Sequence, residues 1–391
     1  MKPFVLAMPP KIIFGKERIN GLARIVLHYG KKALIVTGGK SFYSPHNPLK
    51  ISIEKDFAHE NISFEYIKID KEPTPEMIDD AVSTYRAYNA DIVIAIGGGS
   101  VLDAGKAIAA MLKHDESVVT YLEGVGTKLP NGNKLPFVAI PTTSGTGSEA
   151  TKNAVITKQG NEGFKKSLRH DKFVPDVAIV DPLLTLTCSP ELTAACGMDA
   201  FTQLLESYTS TQANVLTDAM ALSAIEKLIT ALPKAVADGK NEDAREAMSY
   251  ASLVGGICLA NAGLGTVHGF AQPLGSLFDI PHGVVCGTLM AVCNDYTIKR
   301  LIQTGDNPAA LHKFANVGKL FSGFDMKADD YYAILLVENL YELTEKLKIP
   351  SLKHFHVHEH DVEAILNQTD NKNNPIQLSR NDLKEILLKR I

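Results

Sequence analysis

Asp199 and Gln203 stand four residues apart, and Glu206 follows one helical turn further along. On a helix that spacing sets all three on one face. His268 and Gln272 repeat the four-residue interval, and His282 is fixed between Pro281 and Gly283. Carboxylate oxygen and imidazole nitrogen are donors that divalent first-row ions accept. If Asp199, His268 and His282 meet, with Gln203 adding a neutral amide oxygen, they form a site for Fe²⁺ or Zn²⁺ with a position left open. Such an ion acts as a Lewis acid on an alcohol or carbonyl oxygen. On spacing alone, the same residues equally fit isolated polar groups satisfied inside a helical core, or helix caps.

A second chemistry is written in the first half. Ile92 to Ile96 is a short apolar, β-branched run, stopped by Gly97, Gly98 and Gly99, with Ser100 at an expected helix N-cap. From Val101 to Leu112 apolar residues return at helical spacing. A strand, a glycine turn and a helix start offer outward backbone N–H groups and room for close approach, which suits a diphosphate. The alternative is a tight turn that glycine merely permits. Pro141 to Glu149, with Thr142, Thr143, Ser144, Gly145, Thr146 and Ser148, is dense in hydroxyls and small residues. A strand at Phe137 to Ile140 feeds directly into it, so it can serve a nucleotide's phosphates or ribose.

The elements that must position these residues fall into two groups. Strands are expected at Ala33–Thr37, Ile62–Ile69, Ile92–Ile96, Phe137–Ile140 and Val177–Val180, with a helix over Pro75–Tyr88 capped by Thr74. That alternation implies an α/β domain with an open, mostly parallel sheet, binding its ligand beyond the carboxyl ends of the strands. After Asp181-Pro182 helical patterns dominate, at 190–209, 215–236, 242–262, 264–277, 283–300, 308–321 and 328–346. The expected division is therefore an α/β domain over residues 1–184 and an all-α domain over 185–391. Asn367 to Asn374 reads as a solvated loop, and Ser379 with Asp382 has the spacing of a capping box.

Composition narrows the function classes. The chain has 391 residues and a net charge of −4, with no basic block to follow a nucleic-acid backbone. Its five cysteines are odd in number and contain no Cys-x-x-Cys pair, which points away from a disulfide framework and towards a reducing cytoplasm. No apolar run approaches the roughly 20 residues of a membrane helix. The proline-rich N-terminus does not read as a signal peptide. The expected partner is a small molecule, neither nucleic acid nor membrane.

Taken together, these motifs carry a family likeness. Pro10 to Gly15, Gly97 to Ser100 with Asp103 and Lys106, Pro141 to Thr151, Gly197 to Ala200, Glu206 to Tyr208, Gly265 to His268, Pro281 to Gly283 and Asn374-Pro375 span nearly the whole chain. With them the sequence resembles the iron-containing, or group III, alcohol dehydrogenases. The resemblance implies a dehydroquinate-synthase-like two-domain architecture, a homo-oligomer of two or more chains, and catalysis between the domains. It implies cofactor contacts from Gly97, Gly98, Gly99, Ser100 and Asp103, from Thr142, Thr143, Ser144, Gly145 and Ser148, and from Lys165. It implies metal ligation by Asp199, His268 and His282, with His268 and His282 essential to catalysis.

Two positions depart from that pattern. Gln203 stands where the family usually has its first metal histidine, and Gln272 where it has a histidine near the nicotinamide, often assigned to proton relay. Glutamine is a weaker ligand and has no pKa near neutrality, so the expectation is one weakly held divalent ion with Gln203 giving an oxygen. A third feature is Thr37-Gly38-Gly39-Lys40-Ser41, which lacks the carboxylate that NAD-preferring relatives carry after the first strand. Gly38 and Gly39 leave room for a 2′-phosphate that Lys40 and Ser41 would bind, so NADP(H) is expected to be accepted and preferred over NAD(H). The reading is an NAD(P)-dependent, metal-assisted alcohol dehydrogenase or aldehyde reductase. The alternatives are a dehydroquinate-synthase-like lyase and a nucleotide-binding relative that has lost efficient redox chemistry through Gln203 and Gln272.

Overall fold

The computed structural model describes residues 3–159 and 163–391, with side chains throughout except those of Lys40 and Ser41. Two compact units divide between Thr187 and Cys188, and the short segment ending at Leu6 belongs with the second.

The first unit is built on strands β1 (Lys11–Phe14), β2 (Lys32–Gly38), β3 (Ser63–Ile69), β4 (Ile92–Gly97), β5 (Phe137–Pro141) and β8 (Val177–Val180). Their order is β1-β8-β5-β4-β2-β3, and every pairing is parallel. Alternate residues of the central strands sort the core into two layers, as the two-residue strand period requires. Leu34, Val36, Val93 and Ala95 face the helices Pro75–Tyr85 and α1 (Gly99–Met111). Ala33, Ile35, Ile92 and Ile94 face Leu22, Val26 and Phe57 on the other side. The chain goes from β3 to β4 across β2, so β2 and β4 are neighbours whose connections leave in opposite directions. That is the switch point at which such sheets bind ligands. Gly38 ends β2, Gly97 ends β4 and Pro141 ends β5, so the glycine turn, the hydroxyl-rich loop and the Gly38-Gly39 pair all leave the same edge of three adjacent strands.

The structure departs from expectation at several places, beginning with β1, which is not among the expected strands. Ser100 is not the cap of α1: Gly98 holds that position in an extended conformation, with no side chain capping the helix. The helix starts two residues earlier than the apolar pattern suggested, at Gly99 rather than Val101, which shortens the glycine turn. An antiparallel hairpin, β6 (Asn153–Lys158) with β7 (Phe164–Arg169), stands apart from the sheet. The lysine-rich sequence of β7 hides it from a hydrophobic reading. The segment from Asn367 is tied down at its end, where the Asn373 N–H donates to the Leu264 carbonyl at 2.9 Å and Asn374 is buried.

The second unit is helical: α2 (Pro190–Thr209), α3 (Val215–Ala237), α4 (Glu242–Ala262), α5 (Thr266–Leu277), α6 (His282–Thr304), then Pro308–Lys319, Asp329–Lys346 and Arg380–Leu388. Ser189 caps α2 through the Leu192 N–H, with Pro190 at the first helical position, and Ser379 and Asp382 form the capping box foreseen for the last helix. α2 is buried on nearly all sides by its neighbours. A helix enclosed in this way imposes partners on any charge it carries, and Asp199, Gln203 and Glu206 are all buried on it. Among the described residues no single helix is long and apolar enough to cross a membrane.

Candidate metal centre

Three helices bring the polar residues of the second unit together. Asp199 lies mid-way along α2, His268 in the first turn of α5, and His282 opens α6. Pro281 sets the entry to α6. Gly283 lets that helix start directly against α2, since a Cβ there would lie 2.4 Å from the Ala195 carbonyl oxygen. The Nε2 atoms of His268 and His282 stand 3.6 and 3.5 Å from the same oxygen, Asp199 Oδ1. Cys286, one turn after His282, places its Sγ 3.7 Å from His268 Nε2 and 3.8 Å from His282 Nε2. All four donor atoms lie within 4.8 Å of one another.

Those distances test whether an ion fits. Four donors held about 2.0–2.3 Å from one tetrahedral ion lie about 3.3–3.8 Å apart. Four of the six separations fall in that interval and the other two lie within 4.8 Å, so the cluster is compact enough for one small divalent ion to reach all four donors. Its charge agrees. Asp199 and Glu206 are two buried carboxylates whose ion-pair partners, among the described residues, are imidazoles alone. Burial works against ionised Asp199, yet His282 and His268 outweigh it and hold the carboxyl at about 2. Burial likewise disfavours a charged His268, but Cys286 and Glu206 raise it well above the ordinary histidine value. The pocket therefore demands positive charge, which a cation would supply.

The outer contacts orient the donors. His268 Nδ1–H donates to Glu206 Oε2 at 2.6 Å, and the Val267 N–H donates to Glu206 Oε1 at 2.7 Å. With Nδ1–H engaged by Glu206, His268 turns Nε2 to the cluster, where a bound cation would take the place of a proton. Gln203 donates through Nε2 to Asp199 Oδ1 at 3.3 Å. A carboxylate only accepts, so the amide nitrogen, rather than the oxygen, faces it.

In the first unit, the glycine turn is shaped by its neighbours. A Cβ at Gly97 would lie 2.6 Å from Val101 Cβ, and one at Gly99 2.7 Å from Thr146 Cγ2, so the hydroxyl-rich loop packs directly onto the turn. The Thr142 N–H donates to the Gly97 carbonyl at 2.9 Å. Behind the turn, Ser148 donates to Asp103, which also accepts from the Val155 N–H. The buried Lys106 ammonium donates to the Ser148 and Asn153 carbonyls at 3.0 and 2.7 Å and to Thr151 Oγ1 at 2.9 Å. Lys165 is paired with Glu72 at 2.8 Å.

Both halves match known family patterns. "Iron-containing alcohol dehydrogenase" matches residues 9–182, and "Fe-containing alcohol dehydrogenase family, C-terminal" matches residues 193–391. The chain belongs to the iron-containing alcohol dehydrogenases. An "NADPH-dependent butanol dehydrogenase" of Clostridium saccharobutylicum is 32% identical over 97% of this chain and 96% of its own. "Long-chain-alcohol dehydrogenase 1" of Geobacillus thermodenitrificans is 43% identical across 56% of this chain, a match spanning only 54% of that relative. A solved "1,3-propanediol oxidoreductase" superposes with a TM-score of 0.88 at 30% identity, covering all of both chains. As a member of this family the protein is an oxidoreductase, an alcohol dehydrogenase that uses NAD(P) and a metal. Neither alternative raised by the sequence, the lyase or the inactive nucleotide binder, is better supported.

Within this alcohol dehydrogenase, Asp199, His268, His282 and Gln203 meet, while Gln272 lies one turn beyond His268 on α5 and is partly exposed. Gly38, Gly97, Gly98, Gly99, Ser100, Thr142, Thr143, Ser144 and Gly145 gather at the carboxyl edge of the sheet, and Gly39 begins the next helical turn. Asp103 and Ser148 are engaged with each other, fastening the loop to α1. The Lys40 and Ser41 side chains lie outside the described residues. Sequence reasoning missed Cys286 and the role of Glu206. The signal for Cys286 was its four-residue spacing from His282 within a helical stretch.

Proposed function

We propose that this enzyme interconverts a small aliphatic alcohol and its aldehyde, with NADP(H) preferred and one divalent ion held by Asp199, His268 and His282. The observation that carries the reading is the meeting of one carboxylate oxygen and two imidazole nitrogens from three helices at tetrahedral spacing. When bound, the ion polarises the substrate oxygen and the nicotinamide carries the hydride. The chain's own residues supply the rest. Glu206 fixes the tautomer of His268, Gln203 orients the Asp199 carboxylate, and the partly exposed His282 marks the side from which solvent reaches the cluster. Gln272, with no titration near neutrality, offers hydrogen bonds rather than proton relay.

The nucleotide is read onto the edge of β2, β4 and β5. Gly98 leaves the start of α1 uncapped by any side chain, which suits a diphosphate. The absence of a carboxylate from Thr37 to Ser41 supports NADP(H), as does the cofactor in the name of the butanol-acting relative. Five free cysteines support a reducing compartment, the cytoplasm. The test is a panel of short aldehydes and diols with each cofactor, run on chelated protein and after adding Fe²⁺ or Zn²⁺. Turnover that needs the ion and a higher kcat/KM with NADPH are expected. Undiminished turnover in verified metal-free protein would overturn the metal reading, and a clear NADH preference the cofactor reading.

A further inference from the structure

We propose that Cys286, as a thiolate, is the fourth protein ligand of this ion, taking the place an imidazole would fill and biasing the site towards zinc over iron(II). The inference rests on the reading that Asp199, His268 and His282 hold the metal. Its geometry is independent of Gln203. The sulfur lies 3.7 and 3.8 Å from the two imidazole nitrogens, beside 3.6 and 3.5 Å for the carboxylate oxygen, and all four atoms lie within 4.8 Å of one another, so one small ion can take the sulfur as its fourth protein donor with the substrate oxygen left to a fifth position. Cys286 shares a helix with His282 one turn away, so both face the same side of it. Gln203 meanwhile turns its amide N–H to Asp199, and its oxygen lies beside α4, 3.6 Å from where a Cβ on Gly255 would stand. It is a positioning residue for the carboxylate.

The donor set then changes the chemistry. Thiolate is a soft ligand, and a tetrahedral site with sulfur and imidazole suits Zn²⁺, whereas oxygen and imidazole alone discriminate less. On loading, the Cys286 S–H bond breaks, the sulfur–metal bond forms, and the proton passes to bulk solvent with no change in oxidation state. Asp199, His268 and Cys286 are buried, while His282 keeps 28% of its side chain exposed, so access to the ion is on the His282 side.

The test uses the full chain, stripped of metal and reloaded with Co²⁺ or Zn²⁺. A thiolate-to-cobalt charge-transfer band is expected in the near ultraviolet, together with a sulfur scatterer about 2.3 Å from zinc by X-ray absorption. Cys286→Ser should still take up one cobalt per chain but lose the band, and its preference for Zn²⁺ over Fe²⁺ in competition should fall by about tenfold or more. One ion per chain with neither band nor sulfur scatterer would overturn the Cys286 assignment and leave the metal reading standing. Failure of the unsubstituted chain to bind any ion would overturn both. The absorption measurement needs no variant, so a folding defect in Cys286→Ser would not obscure the answer.

Discussion

At the scale of single residues, the metal centre works through contacts one step removed from the ion. Glu206 is buried and accepts from both His268 Nδ1–H and the Val267 N–H. Replacing it with glutamine keeps the shape but weakens the acceptor that holds the imidazole's proton. Metal affinity in Glu206→Gln should fall by about 10–100-fold, the usual cost of losing such a partner. Competition against a chelator measures it, and unchanged affinity would assign Glu206 to packing alone. The sequence showed Asp199, Gln203 and Glu206 on one helical face, because a four-residue interval is legible without coordinates. It could not show which amide atom Gln203 presents, since that depends on the Asp199 carboxylate it meets. Cys286 carries little signal in the sequence for a related reason: its partners are imidazoles on two helices, and no second cysteine stands at metal-binding spacing from it.

At the scale of elements, close backbone approach sets the geometry. The first turn of α6 rests on α2 at Gly283, where a Cβ would stand 2.4 Å from the Ala195 oxygen. Gly283→Ala must push the helices apart, at a cost of about 1–3 kcal/mol in stability, and carries His282 away from Asp199. A lower Tm together with reduced metal content is expected, and a lower Tm with full metal content would contradict this. The loop over α1 offers a pH test. Burial of Glu149 pushes its carboxyl up from an ordinary 4.5 to about 7, against the pull of its own backbone amide and of Lys106. The folded chain keeps that proton where the unfolded chain has released it. This contribution to stability is therefore full below the unfolded value and is lost as pH rises through the folded one. Glu149→Gln should flatten the fall in Tm across that window and raise Tm above the parent's on its alkaline side. Parallel curves for parent and variant would refute it. Strand and helix identities were legible because β2, β4 and most helices of the second unit are strongly patterned. The β6–β7 hairpin was not, since Phe164–Arg169 carries two lysines and an arginine where alternation would be sought.

At the scale of the whole molecule, each constellation is assembled within one compact unit. The metal ligands all lie in Cys188–Ile391, and the glycine turn with its hydroxyl-rich loop lies in Ala7–Thr187. Asp199→Ala should abolish metal binding and turnover while leaving NADPH binding, followed by nucleotide fluorescence, measurable, because the glycine turn and its loop lie wholly within the other unit. A parallel loss of NADPH binding would show that the two are coupled. The change from alternating strands to uninterrupted helices is abrupt near Asp181, close to the division at Thr187–Cys188, whereas nothing in the sequence marks the segment ending at Leu6 as belonging with the second unit. The convergence of Asp199, His268 and His282 could not, because sequence distance carries no spatial information across three helices.

The account stands most directly on equilibrium metal binding to the metal-free chain, with Zn²⁺ as the probe and His268→Ala as the comparison. It predicts one ion per parent chain and loss of that ion in the variant. A parent chain that binds none, or a variant that binds as tightly as the parent, would contradict it.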